Sequence, residues 1–299
     1  MNFDECDKLF RLIEQASSPA EVCHGLQPLF NYYKLMNIEL GRGDTFWRAR
    51  FSQAEPWKTI NDMSYPPAEY VISSGRLNDS HIPCLYAATQ IETALHEIGV
   101  KENDLVQVVG FRVKNETPIR IARVGELLHV NKTGYLRLTG NDPDGTTQRY
   151  LNSLGPDRGR RVLYIDAFLS DILSDVKARE IDYIRSRAVA SMVYRNPKTD
   201  GIIFPSVKDN LGMNISLHAK AVDTKIHPVS CQQVRIIRIH LFGFIEYEVI
   251  KEVVRITEDG EFVWADPLPS PQRRYFNLTK EEYEAAVTRY SGSRYSGSE

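Results

Sequence analysis

Hydrophobic periodicity changes kind at Gly41-Arg42-Gly43-Asp44, and that change constrains the fold more than any other feature of the chain. Before it, apolar residues recur at helical spacing. Leu9, Phe10, Ile13 and Ala16 mark one helix, and Val22, Leu26, Leu29, Phe30 and Tyr33 mark a second from about Pro19. Asp4 and Ser18 suit the N-cap positions, where a short side-chain oxygen accepts from the open N–H groups of a first turn. After the break, strand patterns dominate. Thr45–Phe51 alternates aromatic and polar residues, and 83–88 and 104–113 read as further strands. Residues 155–159 read as a turn, with helices near 162–173 and 178–194. The apolar run Gly201-Ile202-Ile203-Phe204 fits a buried strand, and 234–241, 247–255 and 261–264 fit three more. No βαβ unit repeats, which disfavours a doubly wound parallel sheet and favours an α+β fold.

Composition narrows the class. Of 299 residues, 42% are hydrophobic and 25% charged, which excludes disorder over most of the chain. The 37 Lys and Arg against 39 Asp and Glu give a net charge of −2, which excludes a globally basic nucleic-acid binder. The one local bias is residues 112–161, with ten Lys/Arg against five Asp/Glu. That excess faces either solvent or a phosphate-bearing ligand. Cys6, Cys23, Cys84 and Cys231 form no Cys-x-x-Cys pair, so neither a zinc ribbon nor a dense disulfide framework is expected. The seven histidines show no His-x-x-x-His spacing, and no metal is expected. The charged first twenty residues do not read as a signal peptide, and no stretch is long and apolar enough to span a bilayer. The expectation is a cytoplasmic protein with no membrane partner. Toward the end, 266–271 carries three prolines and 279–290 reads as a helix capped by Thr279. Arg-Tyr-Ser-Gly-Ser then occurs twice, from Arg289 and from Arg294, as in a flexible tail.

Four segments carry chemistry-bearing residues. Ser73-Ser74-Gly75-Arg76-Leu77-Asn78 combines a tight backbone with an Arg, whose planar fork suits phosphate or carboxylate; alone, it is a turn with a surface Arg. Leu85-Tyr86-Ala87-Ala88 places a Tyr among small and apolar residues, where it packs in a core or offers a ring face to a planar ligand. The helix over 90–100 has an apolar stripe of Ile91, Ala94, Leu95 and Ile98. Its Thr89-x-x-Glu92 matches a capping box, which gives Glu92 a structural task. Glu97 has no such task and lies on the flank of the stripe, while His96 projects toward solvent. Finally, Asp200-Gly201-Ile202-Ile203-Phe204-Pro205-Ser206 ends a strand with a hydroxyl. No Gly-x-Ser-x-Gly elbow surrounds it, so Ser206 reads as a polar contact rather than a nucleophile.

In this order, with the strand Trp47-Arg48-Ala49-Arg50-Phe51 ahead of them, these segments resemble the RES-domain family, named for an Arg, a Glu and a Ser. The resemblance spans roughly residues 45–220. It implies an ADP-ribosyltransferase-like fold with a split β-sheet core and surrounding helices; the helical N-terminal extension, the stretch 116–161 and the C-terminal extension make this chain longer than the family's compact toxins. The boundaries would be 1–43 for the N-terminal extension, 44–265 for the catalytic domain, and 266–299 for a C-terminal extension and tail. It also implies NAD as substrate, and a toxin that depletes NAD by hydrolysis or phosphorolysis under control of an antitoxin protein, in a toxin–antitoxin or phage-defence system. Carried onto this chain, Glu97 would stabilise the oxocarbenium-like transition state of nicotinamide–ribose cleavage. Arg76 would clamp the pyrophosphate, with Arg48, Arg50 and Asn78 as further contacts. Tyr86 would stack on nicotinamide or orient the ribose, and Ser206 would anchor the nicotinamide end or a phosphate. Two alternatives stay open: an ADP-ribosyltransferase acting on protein or nucleic acid, for which the basic stretch keeps a nucleic-acid acceptor in view, and a non-catalytic NAD-binding module.

Overall fold

The structure is a computed structural model and describes residues 1–41, 43–138, 140–142, 145–210, 212–265, 272–275 and 278–279. Among these the chain is an α+β protein whose residues gather into two compact units. The first holds Met1–Phe46, Ser64–Thr89 and Arg112–His227. The second holds Trp47–Met63, Gln90–Phe111 and the described residues from Pro228 onward.

Two helices lead, α1 (Phe3–Gln15) and α2 (Pro19–Tyr32). The cap of α1 is Asn2 rather than the expected Asp4. Its side chain accepts from the Glu5 N–H while the Glu5 carboxylate accepts from the Asn2 N–H, a reciprocal pair that Asp4, already inside the first turn, cannot make. Ser18 caps α2 as expected, ahead of a Pro preset for a helical first position. The apolar stripes meet closely at Gly25, where a Cβ would lie 2.6 Å from Ile13 Cγ1. A larger residue there would force the helices apart.

The elements that follow are β1 (Met36–Leu40), β2 (Thr45–Phe51), α3 (Ile60–Met63), β3 (Cys84–Ala88), α4 (Ile91–Ile98) and β4 (Leu105–Val113). Next come β5 (Ile119–Arg123), α5 (Glu126–Thr133), β6 (Tyr135–Leu136), β7 (Gly140–Asn141), α6 (Thr146–Ser153), α7 (Gly155–Ser174) and α8 (Ile184–Tyr194). The remainder are β8 (Gly201–Pro205), β9 (Met213–His218), α9 (Ala219–Lys225), β10 (Ile226–Ile239), β11 (Ile245–Ile256), β12 (Phe262–Trp264), β13 (Gln272–Tyr275) and β14 (Leu278–Thr279).

In the first unit the strands run in the order β1-β5-β8-β9-β3. Only the β5–β8 pair among them is parallel; β1–β5, β8–β9 and β9–β3 are antiparallel. The buried run at 201–204 is thus an interior strand, flanked on both edges. Asp200 fixes its start, accepting from the Arg120 N–H at 2.7 Å and pairing with Lys225 Nζ at 2.7 Å. Two expectations fail here. Residues 155–159 are the first turn of α7 rather than a loop, because Pro156 lies among the first residues, where a helix needs no N–H. The helix expected over 178–194 is broken: a 3-10 turn, Ala178–Ile181, is separated from α8 by two left-handed residues, Asp182 and Tyr183.

In the second unit the order is β2-β4-β10-β11-β13-β14, with β12 also on β11. Strand β10 begins eight residues earlier than its pattern indicates and carries register shifts against β11 at Gln233/Val234 and Ile236/Arg238, which obscure its alternation. Two fully buried glutamines pin the segment after β2. Gln107 holds the Trp57 N–H on Oε1 at 2.7 Å, and Gln233 donates to the Gln53 carbonyl at 2.7 Å. Thr279 ends β14, paired with Arg274, instead of opening a helix. The rest of the helix expected over 279–290, the proline segment 266–271 and the tail repeats lie outside the described residues. Among the described residues no helix is long and apolar enough to cross a membrane.

Candidate functional site

In the first unit, the segment Gly75-Arg76-Leu77-Asn78 closes on itself through the Gly75 N–H and the Asn78 carbonyl at 2.9 Å. Tyr86, on β3, locks it. Its hydroxyl donates to Asn78 Oδ1 at 2.7 Å and accepts from the Leu77 N–H at 2.7 Å. Buried Asn78 spends its amide group on the Asp79 and Ile82 carbonyls, at 3.1 and 2.9 Å. Position 75 must be Gly for space: a Cβ would sit 2.4 Å from Asn78 Oδ1 and 3.0 Å from the Tyr86 hydroxyl. Burial pushes the Tyr86 phenol far above its ordinary value, so it stays a neutral donor across the working pH range. The hydroxyl is committed to the loop, and the half-buried ring packs against the hydrophobic core of the first unit.

Arg76 has a divided role. Its Nη1 donates to the Leu173 and Asp175 carbonyls at 3.0 Å each, where α7 ends and its last carbonyls lack helical partners. The guanidinium carbon lies 5.5 Å from the centroid of the Tyr183 ring. Among the described residues, Nε and Nη2 have no hydrogen-bond partner. The fork is therefore anchored at one corner, with two donor nitrogens left for an anion.

Ser206 follows β8 directly. Its Oγ accepts from the Lys208 and Asp209 N–H groups at 3.1 Å each, and its own N–H donates to the Gly212 carbonyl. The hydroxyl is the hub of the β8–β9 turn. Register places it at the sheet end where β9 begins and β3 finishes, since Pro205 pairs with Met213 and Ala88 with Asn214. Asn214, buried at this same end, escapes the motif reading. Its signal is the alternation of Asn214, Ser216 and His218 within an otherwise apolar strand.

In the second unit, Arg48 and Arg50 share one face of β2, as their spacing requires. Arg50 donates to the Asp62 carbonyl and lies 4.7 Å from the Trp57 ring centroid. Burial, and then the like charge of Arg50, bring the Arg48 guanidinium down to about 10. An anion against this pair would relieve that repulsion. Glu97 is half-buried on α4, whose Ile91, Ala94 and Leu95 are buried as expected; Thr93, outside the stripe, is fully buried too, and Ile98 only partly. The capping box does not form. The N-cap is Gln90 with no side-chain bond, and Thr89 Oγ1 instead donates to the Met213 carbonyl at 3.3 Å, so Glu92 has no capping task. His96 is half-buried rather than projecting free into solvent: its Nε2 lies 2.6 Å from the Gly243 carbonyl oxygen.

The structure thus brings Arg76, Asn78 and Tyr86 into one network, sets Ser206 at an end of the sheet that carries Tyr86, and puts Arg48, Arg50 and Glu97 on the second unit. Among the described residues no group of three His, Cys, Asp or Glu side chains is placed to hold a metal. Burial pushes the Cys84 thiol up to about 11 and Cys231 up to about 12, which makes both poor nucleophiles. A family model described as RES domain matches residues 45–238, a span that includes every candidate residue above. No curated protein matches the chain.

Proposed function

The chain belongs to the RES-domain family, whose domains are NAD-related and toxin-like, and from that premise we propose that it cleaves the nicotinamide–ribose bond of NAD and passes the ADP-ribosyl group to water or phosphate. The observation that carries this reading is Arg76, anchored at Nη1 with Nε and Nη2 unpartnered, on a loop that Tyr86 and Asn78 hold rigid. A preset fork of this kind suits a pyrophosphate. Arg48 and Arg50 supply further positive charge for phosphate. The Tyr86 ring packs on the planar nicotinamide or the ribose, and Asn78 and Ser206 contribute polar contacts.

When the bond breaks, nicotinamide leaves with the electron pair and positive charge develops on the ribose. The Glu97 carboxylate stabilises that charge. A water or phosphate oxygen then bonds to the anomeric carbon, and a water nucleophile loses its proton to bulk water. Depletion of NAD is the corresponding toxic effect. On this reading the protein acts in a cytoplasm, restrained by an antitoxin protein, in a toxin–antitoxin or phage-defence system.

The test is product analysis. Purified protein is incubated with labelled NAD, with and without phosphate, and with total RNA or protein present. Free nicotinamide with ADP-ribose, or with its phosphorylated form when phosphate is added, supports the proposal. Label on RNA or protein replaces it with an ADP-ribosyltransferase. Thermal stabilisation by NAD without nicotinamide release replaces it with a binding module.

A further inference from the structure

Between the 3-10 turn and α8, the chain passes through two consecutive left-handed residues, Asp182 at φ 50° and Tyr183 at φ 56°. Neither is Gly or Asn. An L-residue pays sterically for this conformation, a bulky one more than an Asp, and such strain persists only where surrounding contacts over-determine it. The backbone contacts are present: the Asp182 N–H donates to the Arg179 carbonyl at 3.1 Å and the Tyr183 N–H to the Ala178 carbonyl at 2.8 Å.

Both side chains of this turn act on the Arg76 loop. Tyr183 lays its ring against the Arg76 guanidinium at 5.5 Å. Asp182 pairs with Arg187 Nη1 at 2.7 Å. Arg187, one turn into α8, bonds the Ser74 hydroxyl and brings its Nε to 2.9 Å from Asp79 Oδ1. Ser74 and Asp79 immediately flank Gly75-Arg76-Leu77-Asn78. The turn therefore grips the loop twice, across its base through Arg187 and on the guanidinium face through Tyr183. An Arg that is free to rotate loses rotamer freedom when it binds an anion. One already fixed on two carbonyls and a ring face has lost it beforehand, and its affinity rises accordingly.

We propose that the strained Asp182–Tyr183 turn, with Arg187, is a positioning device that preorganises Arg76 for the pyrophosphate of the dinucleotide; this rests on the reading of Arg76 as the phosphate clamp. Tyr183 and Arg187 act through Arg76, so they govern substrate affinity and leave the bond-breaking step alone.

Three variants of the full chain test this: Tyr183→Phe, Tyr183→Gly and Arg76→Lys. Glycine takes a positive φ without cost, so Tyr183→Gly removes the ring while relieving the backbone. The first readout is the ¹⁵N side-chain resonance of Arg76 Nε–H, assigned by its loss in Arg76→Lys. The second is steady-state NAD turnover. Tyr183→Phe is expected to match wild type in both. Tyr183→Gly is expected to shift or broaden the Arg76 signal and raise KM about threefold to tenfold, with kcat within about twofold. An unchanged Arg76 signal and KM in Tyr183→Gly would overturn the proposal, and so would a lower kcat and Tm with KM unchanged. If wild-type protein turns over no NAD, the reading of the substrate fails separately. Inorganic pyrophosphate titrated against the Arg76 signal then decides the positioning: weaker binding in Tyr183→Gly supports it, and equal binding overturns it.

Discussion

The Arg76 loop and the Glu97 helix divide the work of fold and chemistry differently. In the loop, the motif residues are also the structure: Gly75, Asn78 and Tyr86 fit one another within a few ångströms, and Arg76 itself closes the end of α7. In the helix, the stripe of Ile91, Ala94 and Leu95 packs and His96 fastens the outer face, which leaves Glu97 as a half-buried carboxylate on a separately supported element. Substitutions in the loop should therefore move stability and binding together, whereas in the helix the two should separate.

The largest expected effect tests that separation. Glu97→Ala should lower nicotinamide release by about 10²–10³, the usual cost of one preorganised electrostatic group. Its urea midpoint should move far less than its turnover does. Turnover of NAD at the wild-type rate would remove Glu97 from the chemistry, and a large loss of stability would erase the contrast with the loop. Next, Arg76→Ala should raise KM for NAD by about 10- to 100-fold, the range of a lost charge-assisted hydrogen bond, with a smaller change in kcat. It should also lower stability measurably, because the Leu173 and Asp175 carbonyls lose their donor. An Arg76→Ala protein with unchanged Tm and raised KM would show that the loop, too, keeps the two roles apart.

Tyr86→Phe probes the loop with a smaller change. It keeps the ring but leaves the Leu77 N–H and Asn78 Oδ1 without the hydroxyl that serves both. About 1–3 kcal/mol of stability should be lost on urea denaturation, the cost of unpaired buried polar groups. If the ring is the part that meets the ligand, kcat should change less than stability does. A fall in kcat with unaltered stability would give the hydroxyl itself a part in the reaction.

These expectations also show what was legible in the sequence. The apolar stripe locates α4 because that helix buries one side, and β3 and β4 read as short apolar runs because both of their faces are buried. Motif order locates the loop and the helix. What stays hidden is contact between distant residues. Nothing in Ile181-Asp182-Tyr183-Ile184 announces a left-handed pair, since no Gly or Asn punctuates it and tertiary contacts hold it there. Arg187 reads as an ordinary helical Arg until Ser74 and Asp79 are seen against it. The same limit explains the capping error at Thr89: the local spacing is right, but the Met213 carbonyl, 124 positions away, takes the hydroxyl.

His96 gives the smallest effect and the sharpest test of the helix. Its Nε2 lies 2.6 Å from the Gly243 carbonyl, which can only accept, so Nε2 carries the proton. Gly243 belongs to the tip between β10 and β11, where Phe242 is left-handed and 98% exposed and Leu241 is 83% exposed. His96→Ala removes one fastener from that tip, at a cost of about 0.5–1.5 kcal/mol. Chymotrypsin, which cuts after exposed aromatic residues, should nick the tip faster in the variant than in wild type. Nicotinamide release should stay within about twofold, because the apolar stripe still holds α4 and Glu97 is untouched. A loss of activity approaching that of Glu97→Ala would mean that the tip positions the carboxylate, and the helix would then couple fold to chemistry as tightly as the loop does.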